Sequence, residues 1–373
     1  RIKNNPALNQ ALTAGYSVLP LFIFDPVIEN SSRMGSVRMR FLQGGLLNLK
    51  DKIEKAGGNL IIRRGQPDLV LQAVLEESGA EKIFAEGDLT PYAGRRDRQV
   101  SNQLPLELVS RPMYSPPDQI TAQSGNPYQV YSHYRNKWKD LNLKKLRAAR
   151  LSNPPRHFFS GNLTGLELEA DFGDYSDSGF VPGEDAARSI LEDFTAGEDP
   201  PVYSYREKRN RPDLSGTSRL SPYLHFGMIS ITEALLAALE AMDRSQNQAQ
   251  LQSAETWLDE LIWREFFQYI LYHNPQVLRQ SYREKLAVIP WRNDREEFLC
   301  WKEGRTGFPI VDAAMRQLTR ENWIHNRTRM VTASFLVKDL LIDWRWGEDW
   351  FMENLLDADL ASNNGGWQWV AGT

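Results

Sequence analysis

The stretch Leu355–Trp369, LLDADLASNNGGWQW, concentrates residue types that can do chemistry. Asp357 and Asp359 stand two apart and lead into Asn363-Asn364, Gly365-Gly366, Trp367 and Trp369. Asn-Gly and Gly-Gly steps carry turn chemistry, and glycines let backbone approach a flat surface closely. Tryptophan adds a large rigid apolar face with a single donor. These residues read as a pocket for a planar, hydrogen-bonding ligand or as a tryptophan-anchored core corner. On their own they leave both open.

Other stretches carry weaker signals. Thr217-Ser218-Arg219-Leu220-Ser221 precedes Pro222, and the spacing predicts a helix with Ser221 as N-cap and proline in its first turn. Hydroxyls, N–H groups and a cation at a helix start suit a phosphate or pyrophosphate, although ordinary capped helices share the pattern. Ser253 to Pro275 keeps helical spacing throughout, with Trp257, Glu260 and Arg264 on one face and Trp263 at its edge. A further helix start holds Trp323, Asn326, Arg327, Arg329 and Met330. His325 has no cysteine or second histidine at ligand spacing, so no metal is expected. Cys300 is the single cysteine, which excludes an internal disulfide.

The elements that must position these residues divide the chain. Segments LPLFIFDP, NLIIRRG and EKIFAEGD read as strands, alternating with helices over Met39 to Gly58 and PDLVLQAVLEESG. That rhythm predicts βαβ units and a doubly wound parallel sheet. No GxGxxG or GxxxxGK[ST] follows any of these strands. Gly87 to Val100 reads as a basic loop after the third strand, where open α/β sheets bind ligands. Residues from about Leu104 to Pro201 are rich in Pro, Ser, Gly and Asn and read as a connector with one helix at His133 to Ala149. From Tyr203 onward the pattern is helical. Ten of the eleven tryptophans fall after residue 256, a shift that implies two domains with different work. The division is 1–115 α/β, 116–200 connector and 201–373 helical. No apolar run is long enough to span a bilayer. Net charge is −4, so any nucleic-acid partner needs a local basic patch rather than overall charge.

Taken together, WLDELIWREFF, GRTGFPIVDAAMRQL, NWIHNRTRMVTASFLVKDLLIDWRWGE, LLDADLASNNGGWQW and YREKRNRPDLSGTSRLSPYLHFG closely resemble the photolyase/cryptochrome family. The nearest branch resembles the class I cyclobutane pyrimidine dimer photolyases of bacteria. The resemblance implies a Rossmann-like α/β domain followed by an all-α FAD-binding domain. It implies FAD held by Tyr205, Thr217, Ser218, Arg219, Leu220 and Ser221 on the pyrophosphate side. Trp257, Glu260, Arg264, Trp323, Asn326, Arg329, Asp357, Asp359 and Asn363 would surround the rest, with Asn363 facing the flavin N5. Trp263, Met330 and Trp369 would wall a pocket for a flipped-out dimer, with Glu260 bonding the thymine edges. Arg209 and Arg327 would hold flanking phosphates, with Arg264 also on the DNA side. Trp367, Trp344 and Trp291 match the family's electron-passing chain.

The implied activity is light-driven repair of ultraviolet-damaged DNA, a deoxyribodipyrimidine photo-lyase reaction. A monomer in the bacterial cytoplasm, associated with the nucleoid through DNA, is expected. The Arg33 to Arg40 and Asp88 to Arg98 segments resemble the type that binds a deazaflavin antenna rather than folate, although His225 stands where several deazaflavin binders have lysine. Against the family pattern, the first strand, the C-terminal helices and part of Gln103 to Ser115 are missing, and a fragment is expected. A cryptochrome-type blue-light sensor would use the same FAD and tryptophans without repair. A plain flavin- or nucleotide-binding module would need no tryptophan chain.

Overall fold

The computed structural model describes residues 1–109, 112–149, 151, 157–161, 163–168 and 179–373. The N-terminal part alternates α1 (Pro6–Thr13), β1 (Leu21–Phe24), α2 (Pro26–Glu29), α3 (Ser36–Lys55), β2 (Ile61–Arg64), α4 (Pro67–Ser78), β3 (Ile83–Ala85), α5 (Pro91–Gln103) and β4 (Leu106–Leu108). Apolar strands between amphipathic helices produce this order, and helix ends follow the residue signals. α4 starts on a proline and stops at Gly79 in the left-handed region. β1 pairs with β2 and β3 with β4, both parallel, with Leu21 opposite Ile61 and Ile83 opposite Leu106. Among the described residues the parallel sheet thus takes the form of two pairs.

Three local readings change. Gly87 to Val100 is not a basic loop: Thr90 caps α5 by accepting the Ala93 N–H, and Pro91 opens the helix. The segment read as a connector contains β4 at its start and α7 (Glu184–Thr195) besides the expected helix, α6 (Tyr131–Ala148). Part of that segment lies outside the described residues. The helix expected to run on from Ser221 is split. α8 (Tyr205–Lys208) and the short α9 (Ser221–His225) precede α10 (Ile231–Arg244), whose capping box is Ser230 and Glu233.

The remaining helices are α11 (Gln248–His273), α12 (Arg295–Lys302), α13 (Pro309–Glu321), α14 (Asn326–Ser334), α15 (Trp344–Asn354) and α16 (Leu360–Ala371). A π-helical turn, Phe335–Asp339, extends α14. One core gathers α6, α7, α10 and α11 and takes Phe41 from α3. A second gathers α12 to α16 around Trp301, Trp344 and Trp367. α11 runs between them and packs on α6, α10 and α16. Among the described residues, no helix is long and apolar enough to cross a membrane.

Candidate active site

The acidic pair at the start of α16 is held by side chains from three other elements. Asp359 is the N-cap of α16 and accepts the Ser362 N–H at 2.8 Å. Its second oxygen faces Arg264 Nη1 of α11 at 3.5 Å and His225 Nδ1 of α9 at 3.9 Å. Burial opposes ionisation, but Arg264, His225 and the Ser362 N–H hold the Asp359 carboxyl far below the usual range. Asp357 is buried and accepts from Arg329 Nη2 at 2.9 Å, while Arg329 Nε donates to the Ile324 carbonyl at 2.9 Å.

Arg38 of α3 completes this corner. Its guanidinium donates to the carbonyls of Met352 and Ala358. Burial lowers its pKa to about 10 against the pull of Asp357. The sequence reading grouped Arg38 only with an antenna segment, and the structure ties it to the acidic corner.

The turn expected at Asn363-Asn364-Gly365-Gly366 is instead continuous helix within α16. Tertiary packing decides this. A Cβ on Gly365 would lie 2.2 Å from the Phe267 ring of α11, so glycine here permits two helices to touch. Asn363 donates its amide to the Glu348 carbonyl at 3.0 Å. That engages the donor end and leaves the amide oxygen to accept. Asn364 donates to the buried Glu348 carboxylate at 3.0 Å and to the Val277 carbonyl at 3.2 Å. Glu348 escaped the sequence reading because its partners come from distant segments.

The phosphate segment is reached from α8. Gly216 passes so close to Lys208 that a Cβ would meet it at 2.7 Å. Arg219 adopts φ 51°, in the left-handed region. Its guanidinium lies between the Phe180 ring at 4.5 Å and the Trp323 ring at 4.6 Å. Thr217 and Ser218 are half-buried and Leu220 is buried, while Ser221 is exposed. Ser221 is not the N-cap: that position falls to Leu220, without a side-chain cap bond. Tyr205 is buried and meets the edge of Phe194, which in turn packs on Trp257.

One turn N-terminal to Arg264, Glu260 pairs with Arg209, the residue that ends α8. Burial pushes the Glu260 carboxyl above its ordinary range, and Arg209 pulls it back. Trp263 is half-buried. Arg327 is exposed, donates to Asn210 Oδ1 at 2.6 Å and lies 3.5 Å from Met330 Sδ. Asn326 is exposed at the first position of α14, and His325 caps that helix through Nδ1. Trp369 is 62% exposed, an unusual state for an indole.

Trp367 and Trp344 are buried in the second core, with Trp291 at its rim. The ring neighbours of Trp367 are Phe351 at 5.0 Å and Trp301 at 6.2 Å. Trp301 was not singled out from the sequence.

These residues suit a large ligand with a flat heterocycle and a charged linker. Asp357 Oδ1 and Trp323 Nε1 are buried without hydrogen-bond partners among the described residues, which protein interiors rarely tolerate unless a ligand or water meets them. Among the described residues, no group of three or more His, Cys, Asp or Glu is placed to hold a metal.

Residues 1–154 match the family described as DNA photolyase, and residues 257–373 match the FAD binding domain of DNA photolyase. A deoxyribodipyrimidine photo-lyase of Synechococcus sp. is 39% identical over 389 residues, covering 100% of this chain and 79% of that protein. The crystal structure of a bacterial class III photolyase from Agrobacterium tumefaciens superposes with a TM-score of 0.85 at 31% identity, covering 100% of this chain and 77% of that one. A cryptochrome from Synechocystis sp. superposes with a TM-score of 0.86 at 27% identity, covering 100% and 80%. A shared sequence along the whole chain, a shared fold and an FAD-binding domain built on α11 to α16 place this chain in the photolyase/cryptochrome family.

Proposed function

We propose that the protein repairs cyclobutane pyrimidine dimers in DNA under light. The observation that carries this reading is the placement of Glu260 and Trp263 on the helix that also supplies Arg264 to Asp359. A sensor needs the second of these contacts and has no use for the first pair. Reduced FAD, when bound, supplies on illumination the electron that splits the dimer and receives it back.

The chain's own residues do the rest. Thr217, Ser218, Arg219, Leu220 and Ser221 hold the pyrophosphate side, with Tyr205 behind them. Trp257, Trp323, Asn326 and the two ion pairs, Arg329 with Asp357 and Arg264 with Asp359, fix the cofactor and balance charge near it. The Asn363 oxygen, its amide nitrogen engaged by the Glu348 carbonyl, would be the acceptor offered to the flavin ring. Glu260 meets the base edges, while Trp263, Met330 and Trp369 enclose the flipped-out dimer. Arg209 and Arg327 take the flanking phosphates. Trp367, Trp344 and Trp291 carry reducing electrons inward. Residues 201–373 form the catalytic unit, 1–115 the antenna-type unit and 116–200 the connection, and the protein acts as a monomer. A deazaflavin-type antenna is favoured by the Asp88 to Arg98 segment, where the Tyr92 hydroxyl donates to the buried Asp25 carboxylate.

The test uses protein reduced under blue light and mixed with ultraviolet-irradiated oligothymidylate. Recovery of thymine absorbance in light and not in darkness is the expected result, lost in Glu260→Ala and Trp263→Ala. Flavin that photoreduces with no recovery of thymine would select the sensor reading instead.

A further inference from the structure

Helix α6, part of the segment read as a connector, grips α11 where Trp263 lies. The Tyr131 ring stacks on the Trp263 indole, with centroids 3.6 Å apart and planes 11° from parallel. The Tyr131 hydroxyl donates to the Asp259 carbonyl at 2.6 Å. One turn further along α6, Arg135 Nη1 meets the Asp259 carboxylate at 3.1 Å. Another turn on, Lys139 Nζ meets Glu255 at 2.9 Å. Positions 131, 135 and 139 share one helix face, and all three bind the stretch of α11 that surrounds Glu260. The other ring neighbours of Trp263 are Phe266, edge-on at 5.6 Å, and Phe267, tilted at 5.5 Å. Tyr131 is therefore the one parallel platform for this indole among the described residues.

Resting on the repair reading, we infer that Tyr131 is a positioning residue of the lesion pocket: its ring fixes the plane of Trp263 against which a flipped-out pyrimidine dimer packs. A half-buried indole with an unsupported face turns between rotamers, and a ligand that stacks on it must first order it. Stacking on Tyr131 makes that ordering a property of the free protein. The anchorage of α6 does not depend on this ring. Trp138 Nε1 donates to buried Glu265 at 2.6 Å, and Tyr134 packs on Phe266 and Tyr269. Removing the Tyr131 ring therefore frees Trp263 while α6 stays docked.

The experiment measures binding, in the dark, of flavin-loaded protein to a duplex with a single thymine dimer and to the same duplex undamaged. Single-turnover repair at saturating DNA is measured alongside. Tyr131→Ala and Tyr131→Leu should each weaken dimer binding by about tenfold. Affinity for undamaged DNA, flavin content and repair at saturation should stay within about twofold of the parent. Tyr131→Phe keeps the ring and should bind like the parent. Tyr131→Leu binding the dimer as tightly as the parent would overturn the inference. So would tighter binding, because tyrosine would then be occupying the face a base takes. Equal losses on damaged and undamaged DNA, or loss of flavin in both the alanine and leucine variants, would make Tyr131 architectural and overturn it too. A parent protein that repairs nothing and does not distinguish the two duplexes would instead refute the repair reading itself.

Discussion

Replacing Glu265 with glutamine should change the order of stability between variant and parent as pH rises. Glu265 is 0% exposed in α11. Its oxygens accept the Tyr114 N–H, the Ser115 N–H at 3.4 Å and the Trp138 indole N–H at 2.6 Å. Burial pushes its carboxyl from 4.5 up to about 7, with those three donors pulling the other way. The folded protein thus holds this proton more tightly than the unfolded chain does. Its contribution is fully favourable below pH 4.5, declines between pH 4.5 and about 7, and is level above. At about 1.4 kcal/mol per pH unit across that window, the loss reaches at most about 3.5 kcal/mol.

Glutamine does not titrate. Its amide nitrogen would face one of the N–H donors, so a hydrogen bond is exchanged for two opposed donors, at about 1–3 kcal/mol at every pH. At pH 5 the parent should melt a few degrees above Glu265→Gln. By pH 8 the parent should have lost a comparable amount, and the gap should close or invert. Thermal unfolding at fixed ionic strength from pH 5 to 8 reads this directly. A gap that stays constant over the whole range would mean the carboxylate is ionised throughout, and the burial argument would be wrong.

The helix contacts of α16 give a paired prediction. Gly365→Ala drives a methyl into the Phe267 ring and should cost about 1–3 kcal/mol, whereas Gly366→Ala, with open space around it, should gain up to about 1 kcal/mol from helix propensity. Urea unfolding of the two variants separates them. Arg329→Gln strands the buried Asp357 carboxylate and should cost about 3–5 kcal/mol, reduced by the nearby Arg38, with flavin lost on gel filtration. Adding Asp357→Asn should recover part of that loss. Asp359→Asn should weaken flavin retention at pH 5 as well as at pH 9. A depressed carboxyl stays ionised throughout that span, and its contribution is lost only on acidification below the ordinary aspartate range.

Much of the candidate site was legible because its residues sit at short, periodic spacings. Trp257, Glu260 and Arg264 fall on one face of α11 by helical period alone, and Asp357 with Asp359 brackets the start of α16. What failed was local chemistry overruled by packing. Gly365 looked like a turn residue because composition cannot show that a neighbouring helix needs its missing Cβ. Ser221 looked like a cap because the left-handed backbone at Arg219, which precedes it, has no signature in residue type. β4 is three residues long, too short for a period to register, and α7 lies among proline and glycine. Arg38 was illegible as part of the acidic corner for another reason: its carbonyl partners lie 314 and 320 residues away. Tyr131, 132 positions before Trp263, was hidden the same way.

In the proposed function, α11 is the part on which the two halves of the chemistry depend. Glu260 and Arg264 are one helical turn apart, a rise of about 5.4 to 6 Å along the axis. Glu260 pairs with Arg209 on one side, and Arg264 faces Asp359 on the other. Between them Trp263 is held by α6, and one residue beyond Arg264 the buried Glu265 ties the same helix to Tyr114, Ser115 and Trp138. A hydrogen-bonded helix cannot stretch or slip between adjacent turns without breaking its backbone ladder, so the spacing between Arg264, proposed to face the cofactor, and Glu260, proposed to face the DNA, is fixed by helix geometry. The loops and caps around α11 then serve mainly to prevent its rotation, which is why the acid contacts of α6 and α8 converge on consecutive residues, Asp259 and Glu260.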